Sequence, residues 1–381
     1  MSKKVKIGLI YSNNENWIGG TYYILNLIHA LNKLNDSEKP ELTIFCDTEN
    51  EFNQIKQTNY PLLNWKKLQL KTLPLSLLKK LINKISYLLD KKQVFTTHYE
   101  LENTSVEIIF PGIIGLKNVK NIFWIPDFQE QKLPQFFSKK EIENRNQSHY
   151  FMAKSSESIV FSSNNALEHF QELFPNSNCK KSVINFAVTH PDYKQIEIAE
   201  LQKKYNINHA FFISPNQFWQ HKNQLVILQA IKNIVEQGIT NFLVVFTGKE
   251  IDTRNPAYFS SLQDFVTENK IENQVRFLGF IDRKDQLKLM SESIAVIQPS
   301  LFEGWSTVVE DAKAMNQFVI ASDINVHKEQ LNQNVHFFNP NNEVELSSIM
   351  LIGINKGFNK KTNNYENNIY NYATSFIKLT Q

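Results

Sequence analysis

The sequence predicts an α/β protein made of two successive Rossmann-like domains with parallel sheets. Three observations carry that expectation. At 381 residues the chain exceeds what one ordinary core organises, and two domains of roughly 150–200 residues are expected. Apolar runs of strand length alternate with helical periods along its whole length, the pattern of parallel sheets. The alternation also runs its course once in the N-terminal half and begins afresh in the C-terminal half.

Taken in order, KVKIGLIYS is a first strand and YYILNLIHALNKL a helix. The strands ELTIFCD, VEIIF, NIFWIP and SIVFSS follow, the last leading into another helix. Between Phe186 and His209 the segment AVTHPDYKQ breaks the pattern ahead of a short polar helix, and the domain joint is placed there. The second half then reads HAFFISPN (strand), QLVILQAIKNIVEQ (helix), NFLVVFTG and VRFLGF (strands), and KDQLKLMSES (helix). It ends with IAVIQPS (strand), STVVEDAKAM (helix) and FVIAS (strand). The expected domains are 1–187 and 188–360. In 361–381 the residues Tyr365, Ile369, Tyr372 and Phe376 recur at helical spacing, so that tail is expected to form a helix packing back on the first domain.

Composition narrows the function. Hydrophobic residues at 42% and charged residues at 21% are those of a globular chain. A net charge of +3 gives no reason to expect nucleic acid as a partner. Cys46 and Cys179, the two cysteines, lack metal-ligand spacing and suit a reducing cytoplasm. MSKKVKIGLIYS reads as the approach to a strand and not as a secretion signal. No window of about 18 residues is uncharged and apolar enough for a membrane span.

With 11 glycines in the chain, their positions carry information. Gly19 and Gly20 separate the first strand from the first helix, Gly248 and Gly279 end strands, and Gly304 sits between IAVIQPS and the helix after it. Ligands of open α/β sheets bind outside the carboxyl ends of the strands. A glycine there admits close backbone approach, and the next helix offers free N–H groups to an anion. Neither GxGxxG nor GxxxxGK[ST] occurs, which argues against a nicotinamide enzyme and a P-loop nucleotidase.

The stretch EGWSTVVEDAKAM, with SPNQFWQHKNQ upstream and SDINVHKEQ downstream, resembles the retaining GT-B glycosyltransferases of group 1, or family 4. The resemblance spans nearly the whole chain and is strongest from Phe211 to Glu329. It implies two Rossmann-like domains facing a central cleft, the second holding a nucleotide diphosphate sugar. In the family motif EGxGxxxxE the first acid faces the donor sugar and the second binds the ribose. An ungapped alignment puts Glu303 at the first and Asp311 at the second, with Glu310 one residue earlier as the alternative. Ser306 replaces the motif's second glycine. Between the acids, Gly304, Trp305, Ser306 and Thr307 are expected to line the nucleotide.

The residues support that chemistry independently. Carboxylates accept two hydrogen bonds from vicinal hydroxyls, and the helix start at Ser306 to Val308 offers N–H groups to a diphosphate. The plain alternative makes Ser306 or Thr307 an N-cap and the acids ordinary first-turn residues.

By the resemblance, Lys222 pairs with the donor phosphates. Gln217 stands where the family commonly has an arginine, leaving one positive charge to be supplied by His221, Arg276 or another group. Asp127, in IFWIPDFQEQ, is implied to orient the acceptor or act as its base, or is simply a turn residue. The family's histidine before it is Pro126 here. His327 and Glu329 fall in a segment that either contacts the donor or forms a surface loop. The basic amphipathic stretch in 75–89 either packs its apolar face and solvates its lysines, or lies on an anionic membrane.

The expected activity is retaining transfer of a hexose-type, mannosyl-like sugar to a glycan or lipid-linked acceptor in cell-surface polysaccharide synthesis. Neither cofactor nor metal is expected, since the sequence shows no DxD signature. Rival readings are a catalytically silent sugar-binding module and an epimerase or phosphorylase of the same fold. The expected location is the cytoplasm, with the inner membrane face as the alternative that holds where 75–89 lies on a membrane.

Overall fold

A computed structural model describes residues 4–13, 18–90, 92–155 and 157–381. The chain divides into two compact units, Met1–Thr189 together with Glu366–Gln381, and His190–Tyr365. Both match the Rossmann-like expectation, each holding a parallel sheet.

In the first unit the strands are β1 (Lys6–Ile10), β2 (Glu41–Phe45), β3 (Leu63–Lys66), β4 (Leu70–Leu73), β5 (His98–Leu101), β6 (Ile108–Phe110), β7 (Lys120–Ile125), β8 (Ser158–Phe161) and β9 (Lys180–Val183). Seven form a sheet in the order β3-β2-β1-β6-β7-β8-β9, every pair parallel. The antiparallel pair β4 and β5 stands outside it. These two short strands lack the apolar runs that the sequence reading relied on.

The last helix, Glu366–Thr380, belongs to this unit. Ile369, Tyr372, Ala373, Phe376 and Thr380 form its buried stripe, the spacing of one helix face. Tyr372 meets the Tyr23 ring edge-on at 5.8 Å, and its Oη donates to the Tyr23 carbonyl at 3.2 Å. Phe376 meets Phe110 at 5.0 Å. Tyr23 itself stacks on Trp124 at 4.0 Å. Aromatic side chains bury roughly 150–250 Å² each, so this cluster fixes the helix firmly.

The helix Leu77–Asp90 departs from the packed reading of its sequence. Asn83 is its buried residue, and Leu77, Leu78, Leu81, Ile82, Ile85, Leu88 and Leu89 are exposed.

In the second unit the strands are β10 (Phe211–Pro215), β11 (Leu243–Thr247), β12 (Val275–Phe277), β13 (Val296–Gln298), β14 (Val319–Ser322) and β15 (Val335–Phe338). All pair in parallel in the order β12-β11-β10-β13-β14-β15. Successive strand residues point to opposite faces, and both faces here are covered. Phe212, Val244, Phe246, Ile297 and Ile320 enter one core; Phe211, Ile213, Leu243, Val245, Val296 and Val319 enter the other. That two-sided burial explains strands that read as continuous apolar runs. The chain winds outward from β10 to β12, then restarts on the opposite side at β13. The strand order therefore reverses between β10 and β13, and ligand crevices open beyond the carboxyl ends of such a pair.

Candidate functional site

Both segments leaving that reversal point carry residues singled out in the sequence. After β10 the chain makes a tight helical turn at Gln220–Lys222, passes through left-handed Asn223 (φ 58°), and enters the helix Gln224–Val235. After β13 it loops through Glu303 to Ser306, whose Oγ caps the helix Thr307–Ala314 by accepting from Val309 N at 3.4 Å. The two segments meet where Lys222 Nζ lies 2.7 Å from Glu303 Oε1.

Glu303 is buried. Its Oε1 accepts from Lys222 Nζ, from Gln298 Nε2 at 2.8 Å and from Ser300 Oγ at 2.7 Å. Its Oε2 has no partner among the described residues. Burial works to raise the carboxyl pKa, but the Lys222 charge and the hydrogen bonds from Lys222 and Ser300 outweigh it, and the group sits below its ordinary value. Glu303 is thus an anion held in place by one oxygen. Gln298 is itself fixed, its Oε1 accepting from Asn216 Nδ2 at 2.8 Å.

Beside this pair stands His327, fully buried in the helix Asn325–Gln330. Of the two sequence readings of this segment, a surface loop is overturned: two residues after β14 the chain enters a helix that buries His327. His327 Nδ1 lies 2.9 Å from the Ser322 carbonyl. A carbonyl only accepts, so Nδ1 carries the hydrogen. Burial holds the imidazole below its ordinary pKa and hence neutral. Nε2 therefore presents a lone pair, and this buried atom has no hydrogen-bond partner.

The adjacent acids Glu310 and Asp311 have different surroundings. Both oxygens of Glu310 are engaged: Oε1 accepts from Lys313 Nζ and Gln330 Nε2, each at 2.9 Å, and Oε2 accepts from Tyr365 Oη. Gln330 also grips the backbone of Ser306, donating to its carbonyl at 2.8 Å and accepting from its N–H at 3.2 Å. Glu310 is therefore a brace for the turn. Asp311 is fully buried, and its Oδ1 accepts from Arg283 at 2.6 Å and His190 Nε2 at 3.0 Å. Burial would raise its pKa, yet the Arg283 charge and the His190 bond hold it below the ordinary range. Its Oδ2 has no partner.

The remaining candidates of this unit lie around the same point. Gly304 is buried and Thr307 half-buried. The Trp305 ring centroid is 5.8 Å from Lys313 Nζ. The first-turn N–H groups of Thr307 and Val308 have no intrahelical acceptor. Gly248 has φ +142°, and a Cβ there would stand 2.2 Å from the Asn216 carbonyl oxygen, so glycine alone admits this approach of β11 to the turn after β10. The Gln217 carbonyl accepts from Gln224 Nε2 at 2.9 Å.

Neither group named to replace the missing charge does so. Burial, with Lys222 nearby, pushes the His221 pKa down to about 3 and keeps it neutral. Arg276 spends its guanidinium on the carbonyls of Asn206, Glu272 and Val275. Arg254, whose guanidinium lies 5.9 Å from the Trp219 ring, is the cation nearer this turn.

Gly19, Gly20 and Asp127 belong to the first unit. Gly19 and Gly20 stand in the first turn of the helix Ile18–Asn32; residues 14–17 before them lie outside the described residues. Asp127 follows β7, and its Oδ1 accepts from Gln129 N at 3.0 Å with Arg145 3.8 Å away. This is the geometry of a turn residue joined to an ion pair. Arg145 pairs with buried Glu130 at 3.2 Å, and His149 lies 3.6 Å from the same carboxyl. Burial raises the Glu130 pKa and pushes His149 down to about 4.

Sequence reasoning missed Gln298, Ser300, Gln330, Arg283, His190 and the Glu130 cluster. One signal was present: Gln298 interrupts the apolar run IAVIQPS, a polar residue in a strand buried on both faces. Gln330, Arg283 and His190 join positions up to 121 residues apart, which local pattern does not reveal.

Residues 197–372 match the family described as glycosyl transferases group 1. The chain is 24% identical over 254 residues to the O-antigen chain mannosyltransferase RfbU of Salmonella typhimurium, covering 67% of this chain and 62% of that protein. It is 27% identical over 154 residues to the capsular polysaccharide biosynthesis glycosyltransferase CapH of Staphylococcus aureus, covering 40% and 41%. The matches thus span less than two thirds of either relative's length. Among solved structures, Anabaena Alr3699/HepE in complex with UDP and glucose superposes with a TM-score of 0.62 at 16% identity, covering 98% of this chain and 95% of that one. Over 197–372 the chain is thus similar to the group 1 glycosyl transferases, and its fold is GT-B.

Proposed function

We propose that this group 1 domain makes the chain a retaining, metal-independent glycosyltransferase. It moves a hexose-type, mannosyl-like sugar from a nucleotide diphosphate sugar to a glycan or lipid-linked acceptor in cell-surface polysaccharide synthesis. It works in the cytoplasm, peripherally at the inner face of the membrane. The observation that carries the reading is the trio of Glu303, Lys222 and His327 beyond β10 and β13, with Glu303 Oε2 and His327 Nε2 both without a partner. A sugar supplies the hydroxyl donors those two acceptors lack.

The residues divide the donor between them. Glu303 and His327 accept from sugar hydroxyls. Lys222 and the first-turn N–H groups of Thr307 and Val308 face the diphosphate and stabilise the charge that develops as it departs. Asp311 Oδ2 accepts from the ribose, while Glu310 holds the turn closed. Arg254 supplies the cation that Gln217 does not. The acceptor oxygen bonds to the anomeric carbon on the face from which the diphosphate leaves, its proton passing to the departing diphosphate oxygen, which retains the anomeric configuration. Asp127 and the Glu130 cluster are the acceptor-side candidates. The mannosyl assignment draws on RfbU, the polysaccharide setting on RfbU and CapH.

The test incubates the protein with labelled nucleotide sugars and candidate acceptors. Turnover with retention by NMR, unaffected by EDTA, is expected. The Glu303→Gln variant should lose about 100-fold or more in kcat, the scale of removing one preorganised polar group. Near-native turnover of that variant refutes its role, and the absence of turnover with every donor favours a silent sugar-binding module.

A further inference from the structure

We infer that the helix Leu77–Asp90 is a docking surface for an anionic phospholipid bilayer, and that the cavity beside it takes a lipid headgroup phosphate. This deepens the membrane element of the proposed function and is independent of the transfer chemistry.

The helix is hung between β4 and β5, outside the seven-stranded sheet. At 3.6 residues per turn, Leu77, Leu78, Leu81, Ile82, Ile85, Leu88 and Leu89 fill one continuous arc of about 140°. All seven are exposed, from 37% at Ile82 to 84% at Leu77. The opposite side faces the protein through a polar residue. Asn83 donates to the Phe95 carbonyl at 2.7 Å and accepts from Val94 N and Phe95 N at 3.0 and 2.8 Å. Polar inside and apolar outside is the reverse of a helix packed on a globular core. It is the arrangement of a helix lying in a membrane interface.

Charge selects the occupant. Lys79, Lys80 and Lys84 stand against one acid on the helix, Asp90. Lys80 and Lys84 follow the apolar arc along one edge, and neither forms an ion pair among the described residues. Both line a cavity of about 510 Å³ together with Thr72, Asn83, Tyr87 and Gln93. Two ammonium groups with hydroxyl and amide donors suit a phosphate monoanion or diester. A second copy of this chain would repeat the surplus of positive charge, whereas an anionic leaflet neutralises it. The helix has 14 residues, about 21 Å at 1.5 Å per residue. That is too short to cross a hydrocarbon core of about 30 Å, so it lies in the plane of the interface.

The test floats the full chain, without nucleotide sugar, on vesicles of phosphatidylcholine alone or mixed with phosphatidylglycerol. Flotation is expected with the mixed vesicles only. The double variants Leu81→Ser with Leu88→Ser, and Lys80→Gln with Lys84→Gln, should each reduce the bound fraction about tenfold or more. Thermal melting of both variants should match the parent, because every substituted side chain is exposed. No flotation, or flotation that survives either pair of substitutions, overturns the inference. So does a parent that sediments as a dimer without floating, with Leu81→Ser and Leu88→Ser making it monomeric; the face then joins two copies. Transfer to a water-soluble acceptor should be the same in parent and variants, so a failed flotation and a failed transferase reading remain distinguishable.

Discussion

Two helices of this chain invert the usual partition of side chains, and they do so in opposite senses. Thr307–Ala314 buries two adjacent carboxylates, Glu310 and Asp311, where a helix ordinarily buries leucines. Leu77–Asp90 exposes seven aliphatic side chains and buries an asparagine. Each departure opposes folding: a buried charge needs partners, and exposed apolar area forgoes its burial free energy. In the first helix the compensation is internal, since Lys313, Gln330, Tyr365, Arg283 and His190 satisfy three of the four carboxylate oxygens. In the second, the seven aliphatic side chains stay exposed among the described residues. The first helix is therefore a preorganised polar site, and the second is an apolar surface facing solvent.

The largest predicted effect falls on the brace. Glu310→Ala removes one partner from Lys313, Gln330 and Tyr365, and breaking such a buried charged network costs about 3–5 kcal/mol. Calorimetric melting should show this as a drop of several degrees or more; an unchanged melting temperature would break the assignment of Glu310 as structural. Next comes His327→Phe, which keeps ring volume while deleting the Nε2 acceptor. It should raise the donor KM or lower kcat about tenfold to 100-fold with little effect on nucleoside diphosphate binding. Equal losses for sugar donor and bare diphosphate would place His327 away from the sugar.

A smaller effect comes from acid. His221 and His149 are neutral in the folded protein, held near 3 and 4 against an ordinary 6.5. Between pH 6.5 and about 4 the unfolded chain therefore binds more protons than the folded one, and stability falls as pH falls. Each histidine contributes up to about 1.4 kcal/mol per pH unit. Glu303 and Asp311, both depressed, lose their contribution further down, in the same direction; Glu130, raised by burial, opposes it. Urea midpoints from pH 7 to 5 should decline, and less steeply in His221→Gln. The smallest predicted effect is on the exposed helix. Leu81→Ser should change stability by less than about 0.5 kcal/mol, and a loss of several kcal/mol would show that this face packs against something within the chain.

The contrast also marks what the sequence makes legible. The strands of the second unit are buried on both faces, so they read as unbroken apolar runs, and β10, β11 and β13 follow directly from HAFFISPN, NFLVVFTG and IAVIQPS. The turn at Glu303 and its Ser306 cap are local features and are visible for the same reason. The division of labour between Glu310 and Asp311 is not local: it depends on Tyr365, Arg283 and His190, brought together only by the fold. The orientation of Leu77–Asp90 is equally hidden, because an amphipathic period gives the existence of two faces and not which one turns inward. Its direction is set by Asn83, a single polar residue meeting the backbone of Val94 and Phe95. The short strands β4 and β5 are not legible in the sequence because alternation over four residues is too weak a signal.

The central claim is that one turn clamps a nucleotide sugar, with Asp311 as ligand and Glu310 as brace. The most direct test is the ligand-induced shift in melting temperature across a panel of nucleotide sugars for the parent, Asp311→Asn and Glu310→Gln proteins. A donor that binds the folded state must raise the melting temperature by mass action. A shift is expected in the parent, little or none in Asp311→Asn, and a preserved shift from a lower baseline in Glu310→Gln. A shift retained in Asp311→Asn and abolished in Glu310→Gln would contradict it.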